Sequence, residues 1–240
     1  VSQFSIGHVI FALGLSYMVP LAMLAPKPTF TQPERVWLSS ILRFGIKSAT
    51  WLLLAGIPYV ASKTLLAGKI PDAELGAFSA TADFFYRGFG IINAAIVMWA
   101  FPVLSQAYDS GNIPKVRKVL GFVVAAYGAT GGVILFFGSI AANALPKVTV
   151  FFSAGSLSFV MIMLSCFFWQ GMSIAHKPFE LALKTTQMIM AMLISLLLYA
   201  VGTAILYNVL AVDPVLAVSV ALTVASVAYI SRALTVKLKV

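Results

Sequence analysis

The chain has 240 residues, 61% of them hydrophobic and only 10% charged, with a formal net charge of +9. A soluble domain carries roughly 45–50% apolar and about 25% charged residues, and disorder needs low hydrophobicity with high charge, so both classes are excluded. The apolar runs are long and continuous, not alternating, which favours membrane helices over a barrel.

Crossing a bilayer takes about 20 mostly apolar residues. Seven such stretches run in chain order over roughly 4–25, 40–67, 75–105, 118–144, 151–175, 183–209 and 214–235. Loop chemistry separates them. Pro26-Lys27-Pro28 and Pro33 follow the first, and Gly68-Lys69-Ile70-Pro71-Asp72 the second. Asp109-Ser110-Gly111-Asn112 and Pro114 follow the third, Leu145-Pro146-Lys147 the fourth and His176-Lys177-Pro178 the fifth; Asp213-Pro214 precedes the last. The longest connection, 26–40, reads as a linker followed by a short interfacial helix over Glu34–Ile41. The expected fold is an all-α integral membrane protein of about seven transmembrane helices.

Basic residues set the expected orientation. One set of ends and loops holds Lys27, Arg35, Arg43, Lys47, Lys115, Arg117, Lys118, Lys177, Lys184, Arg232, Lys237 and Lys239; the other holds only Lys63, Lys69 and Lys147. The excess places the C-terminus in the cytoplasm and residue 1 outside, and it accounts for the net charge without nucleic acid. Trp37, Trp99 and Trp169 fall near the cytoplasmic ends of their spans, as an aromatic belt would. Lys115–Lys118 also has the charge to bind anionic lipid.

Charges within spans cost several kcal/mol and normally face the bundle interior or a wet cavity. The third span carries Asp83 and Arg87, four apart and able to pair on one helix face. That face continues through Gly76, Ala80, Gly90 and Ala94; the opposite face reads Phe78, Phe85, Phe89, Ile92, Ile96 and Trp99. The small, charged face is expected inward and the aromatic face toward lipid. Asp83 and Arg87 either neutralise each other as a helix lock or line a polar cavity. The second span carries Arg43 and Lys47 on one face near its start. Lys63 lies about 160° around an ideal helix from Lys47, with Gly56 and Pro58 between them able to bend the span. Snorkelling is the plain reading for Arg43 and a strong one for Lys47 and Lys63.

Asn93, Asn143, Gln170 and Gln187 are expected to make interhelical hydrogen bonds, Pro20, Pro58 and Pro102 to mark kinks, and Gly131-Gly132 to permit close packing. Cys166, the only cysteine, reads as a small buried hydrophobe. His8 and His176 read as isolated. No HExxH, P-loop, GxSxG or CxxC occurs, so neither an enzyme nor a bound cofactor or metal is expected.

The stretch Ile41–Leu120 resembles polysaccharide flippases of the Wzx type, which handle O-antigen and other lipid-linked oligosaccharides. These belong to the multidrug/oligosaccharidyl-lipid/polysaccharide (MOP) exporter superfamily. The resemblance rests on the order of Leu42-Arg43-Phe44-Gly45 opening a span, Leu75-Gly76-Ala77-Phe78-Ser79-Ala80 opening the next, Phe101-Pro102-Val103-Leu104-Ser105 near its end, and then the basic Lys115–Lys118. The later spans fit by length and placement. The resemblance implies a protein of about twelve helices in two pseudo-symmetric lobes. Residues 1–25 would be the last helix of an N-terminal lobe, 26–40 a cytoplasmic linker and 41–240 the C-terminal six-helix lobe. The odd span number and the start at Val1 lead to the expectation of a fragment whose N-terminal lobe lies upstream.

The resemblance further implies flipping of a polyprenyl-pyrophosphate-linked oligosaccharide across the bacterial inner membrane by alternating access. The implied partners are that substrate, the bilayer, the N-terminal lobe, and a polysaccharide polymerase with glycosyltransferases. A cationic cavity would hold the pyrophosphate, with Arg87 and Lys47 first, Lys63 behind them, and Asp83 holding Arg87 or taking part in ion coupling. The alternatives are a lipid-linked peptidoglycan precursor flippase or a drug/cation exporter of the same superfamily, a stand-alone seven-helix receptor or scaffold, and an embedded glycan transferase or polymerase. Asp83 is the one acid within these spans against several bases, which favours an anionic substrate over a cation.

Overall fold

The computed structural model describes residues 35–144 and 157–236. The expected first span, most of the 26–40 linker, Pro20, His8 and Lys147 lie outside the described residues, and so do the side chains of Trp37, Arg43 and Asn143. The chain falls into two compact units, Val1–Arg43 and Phe44–Val240. The helix bundle belongs to the second.

Among the described residues the chain is helical with no strand. We label the helices α1 (Arg35–Leu66), α2 (Asp72–Asp109), α3 (Ile113–Ala144), α4 (Leu157–Ala175), α5 (Lys177–Leu181), α6 (Thr185–Asn208) and α7 (Pro214–Leu234). Six segments are long and apolar enough to cross a membrane: Phe44–Leu66, Asp72–Asp109, Ile113–Phe137, Leu157–Leu181, Thr185–Asn208 and Pro214–Leu234. These correspond to the second through seventh expected spans. Helix α1 begins at Arg35 and takes in most of the stretch read as an interfacial helix.

Local chemistry explains the boundaries. Gly68, at φ 75°, reverses the chain between α1 and α2 in a conformation an L side chain resists. Asp72 and Glu74 then place negative charge at the positive end of the α2 dipole. Gly111, at φ 71°, turns the chain into α3, where Asn112 Oδ1 accepts from the Lys115 amide at 3.1 Å. Asp213 caps α7 by accepting from the Leu216 amide at 3.0 Å, and Pro214 fills the first helical position. Pro58 and Pro102 lie inside helices and do not end them.

The two central helices are α4 and α7; α6 packs on α7, α2 on α4 and α3 on α2. Small residues let α7 approach its neighbours closely: Ala217, Ala221, Ala225 and Ser226 are all buried. Ser195 of α6 donates to the Ala225 carbonyl at 2.7 Å. Gly131 of α3 sits directly against the edge of the Phe167 ring, where a Cβ would clash. Asn93 and Gln170 do tie α2 to α4, through the Gln170 and Tyr86 carbonyls at 3.0 Å each and through Ser173. Gln187, by contrast, is exposed.

The aromatic face of α2 is where expectation and structure part. Phe78, Phe85 and Phe89 are buried, with Phe85 edge-on to Phe159 and Phe89 edge-on to Phe167. Large rings fill the space between helices, while Ile91 and Met98 lie 72% and 77% exposed in the position of lipid-facing groups. Trp169 is likewise no belt residue. It is buried, and its indole donates to the Ala55 carbonyl at 3.0 Å. Trp99 is 56% exposed and lies edge-on to Phe122, 5.6 Å between centroids.

Helix α1 makes its contacts with the bundle through long polar and aromatic side chains. Trp51 donates to the Tyr229 hydroxyl of α7 at 2.8 Å, and Ser62 shares a hydrogen bond with Tyr199 of α6 at 2.9 Å. These struts fix which α1 side chains meet which helices, and thereby position the site.

Candidate functional site: two ion clusters in an apolar bundle

The first cluster joins α1 to α2. Lys63 Nζ lies 2.7 Å from Asp83 Oδ1, and the Tyr59 hydroxyl donates to that same oxygen. Lys63 also donates to the Tyr59 hydroxyl at 3.1 Å and lies over the Tyr59 ring, 4.2 Å from its centroid. The Tyr59 ring rests 4.9 Å from that of Tyr86. Tyr59 and Lys63 are four apart on α1 and so share a face. The expected Asp83–Arg87 pair is therefore corrected. The carboxylate takes its partners from α1, because two donors from a facing helix can converge on one oxygen.

Arg87 is exposed, and among the described residues it makes no ion pair within 4 Å. It lies fifteen residues after Asp72 and twenty-two before Asp109 in a 38-residue helix. From there its side chain cannot reach either helix end. The pair Lys63–Asp83 is itself about one-third exposed on each side. Beside it opens a cavity of about 30 Å³, room for a water-sized group but not for a sugar. Tyr59, Ser62, Lys63, Tyr86, Ser165, Cys166 and Ser219 contribute its polar lining, and Phe78, Ile162, Trp169, Val218 and Leu222 close it. Cys166 is buried there, 3.6 Å from the Ala82 carbonyl.

The second cluster sits further back along α1, where His176 meets Trp51, twelve residues before Lys63. Glu180 Oε1 lies 2.9 Å from His176 Nε2, and Glu180 Oε2 lies 2.7 Å from Lys177 Nζ. The reading of His176 as isolated is corrected: it has a carboxylate four residues on, and its ring packs against Trp51 at 4.2 Å between centroids. Lys177 also lies 4.8 Å above the Phe101 ring. The segment Leu157–Leu181, the fifth expected span, takes in Glu180, which joins Asp83 as an acid within a span. Near this cluster Lys47 donates to the Thr186 hydroxyl of α6 at 3.0 Å.

Lys47 and Lys63 thus contact different helices, and sixteen residues of α1 separate them by about 24 Å. Of the four residues singled out from sequence, the fold brings Lys63, Asp83 and Arg87 to one region and leaves Lys47 apart from them. Tyr59 was missed. Its signal was its place one turn before Lys63 in an otherwise apolar stretch.

Chemically, the first cluster is a pair of converging donors near an unpaired guanidinium, an arrangement suited to an anionic oxygen group. Comparison with known protein families, with curated proteins and with solved structures found nothing that matches the chain.

Proposed function

We infer that the protein is half of a transporter that flips a polyprenyl-pyrophosphate-linked oligosaccharide across the cytoplasmic membrane by alternating access. The observation that carries this reading is the position of Arg87. A guanidinium at mid-length of a membrane helix, exposed on the surface of its own bundle, is costly in hydrocarbon. A wet cavity closed by a second lobe removes that cost, and an anionic substrate passing through the cavity uses it. Lys63 and Tyr59, brought to α2 by α1, add two hydrogen-bond donors beside it. Lys47 marks the end nearer the basic loops, which this reading places in the cytoplasm together with the C-terminus.

The pyrophosphate would meet Arg87 and Lys63 through charge-assisted hydrogen bonds. The glycan would occupy the space between lobes, and the polyprenyl tail would stay in the bilayer. Rocking of the lobes would expose the site to each side in turn. The full-length gene, expressed in a strain lacking its polysaccharide flippase, tests this. Wild type should restore surface glycan, whereas Arg87→Ala and Lys63→Ala should not, at equal membrane levels by immunoblot. Normal glycan from both variants would overturn the assignment.

A further inference from the structure

Asp83 is poorly explained as a mere helix lock. Its carboxylate is about one-third exposed, it accepts both donors on the single oxygen Oδ1, and a cavity large enough for one more oxygen adjoins those donors. An ammonium and a phenol aimed at one anionic oxygen make the same arrangement that would hold a phosphoryl oxygen. We propose that Asp83 is a built-in stand-in for the substrate anion: it occupies the place of a phosphoryl group between Lys63 and Tyr59, and it yields that place when a phosphoryl ligand arrives. This rests on the flippase reading for the biological source of the anion, but not for the chemistry of the exchange.

The consequence is a coupling between ligand and helix contact. While Asp83 holds Lys63 and Tyr59, α1 is pinned to α2 and the charge of Lys63 is neutralised. A phosphoryl group that takes over both donors breaks the pin, and Arg87, one turn from Asp83, meets the group's remaining charge. Substrate binding would then release α1 from α2 at this end. The bonds further back along α1, Lys47 to Thr186 and Trp51 to Tyr229, would stay in place. A tightly held carboxylate would also keep smaller or weaker anions out of the site, because they cannot displace it.

The test is anion binding to the full-length protein in nanodiscs, with inorganic pyrophosphate in one arm and farnesyl pyrophosphate in the other. Asp83→Asn removes the competing charge and leaves a side chain of the same shape. It should bind farnesyl pyrophosphate about five- to tenfold more tightly than wild type, the range expected when a partly exposed like charge is removed from beside an anion. Adding Lys63→Gln to Asp83→Asn should abolish that gain. A gain confined to farnesyl pyrophosphate assigns the site to a lipid-borne phosphoryl group. An equal gain in both arms supports the exchange and assigns it to the free anion.

No gain from Asp83→Asn, or a gain that survives Lys63→Gln, would overturn the proposal. Asp83→Ser serves as a second variant. If neither variant gives a monodisperse, folded protein, Asp83 is a structural strut, and the proposal also fails. Loss of glycan export alone bears only on the flippase reading, since the binding arms are read without transport.

Discussion

The two ion clusters meet α1 twelve residues apart, at Trp51 and at Lys63, and they are built on opposite plans. In one, Glu180 draws both partners from its own chain neighbourhood, three and four residues away, and gives each a separate oxygen. All three side chains are mostly buried, and the aromatic rings of Trp51 and Phe101 cover His176 and Lys177. In the other, Asp83 draws its partners from a different helix, offers both the same oxygen, remains one-third exposed and leaves a guanidinium unpaired one turn away. The first arrangement is closed: every charge has its partner and nothing is left to recruit a ligand. The second is open. In a membrane bundle, a locally satisfied cluster is a means of ending one helix and starting the next, whereas a cross-helix cluster with surplus positive charge is a place where something can bind.

Substitutions can break that contrast, and the largest effect is expected at the closed cluster. Glu180→Ala strands His176 and Lys177 in a largely buried setting and should cost about 3 kcal/mol, the usual size for removing one partner of a buried pair. Reversible unfolding of the detergent-solubilised protein reads this directly, and a loss below that of Asp83→Asn would invert the comparison. Trp51→Phe keeps the ring over His176 but removes the hydrogen bond to the buried Tyr229 hydroxyl. It should cost about 1–2 kcal/mol by the same assay.

The open cluster should tolerate change. Asp83→Asn should alter stability by no more than about 1 kcal/mol, since a pair exposed to this degree contributes little. Smallest of all is Lys47→Ala, whose single bond to an exposed threonine should be worth about 0.5 kcal/mol or less. Asp83→Asn should nonetheless lose export in the full-length protein, so a small change in stability would accompany a large change in function, unlike at Glu180.

Much of this was legible in the chain itself, for identifiable reasons. Six spans followed from the lengths of apolar runs and the Gly, Pro and Asp residues between them. The length needed to cross hydrocarbon is a physical constraint that the chain must meet. Asp83, Arg87 and Lys63 stood out because charge within a span is rare.

The partner of Asp83 was not legible. The four-residue spacing rule ranks neighbours on one helix surface, and it is silent about a lysine that α1 brings across the gap. The faces of α2 failed for a related reason. Phe85 and Phe89 are as welcome against lipid as against Phe159 and Phe167, so hydropathy alone does not sort them, and the rings went where interhelical space had to be filled. Trp169 followed the same course, its indole finding a carbonyl on α1. Helix pairing carries this information, and helix pairing depends on small residues such as Gly131 and Ala221 whose partners lie far off in the chain.

Flipping of an anionic lipid requires that the face of α2 bearing Arg87 line a water-filled cavity. In the full-length protein, with buried Cys166 replaced by alanine, Arg87→Cys places one thiol on that face. Rapid reaction with a charged, membrane-impermeant thiol reagent is expected, with slower reaction in the presence of farnesyl pyrophosphate. Labelling by a lipid-soluble maleimide alone, with no protection by the pyrophosphate, would put residue 87 against the acyl chains and contradict the flippase reading.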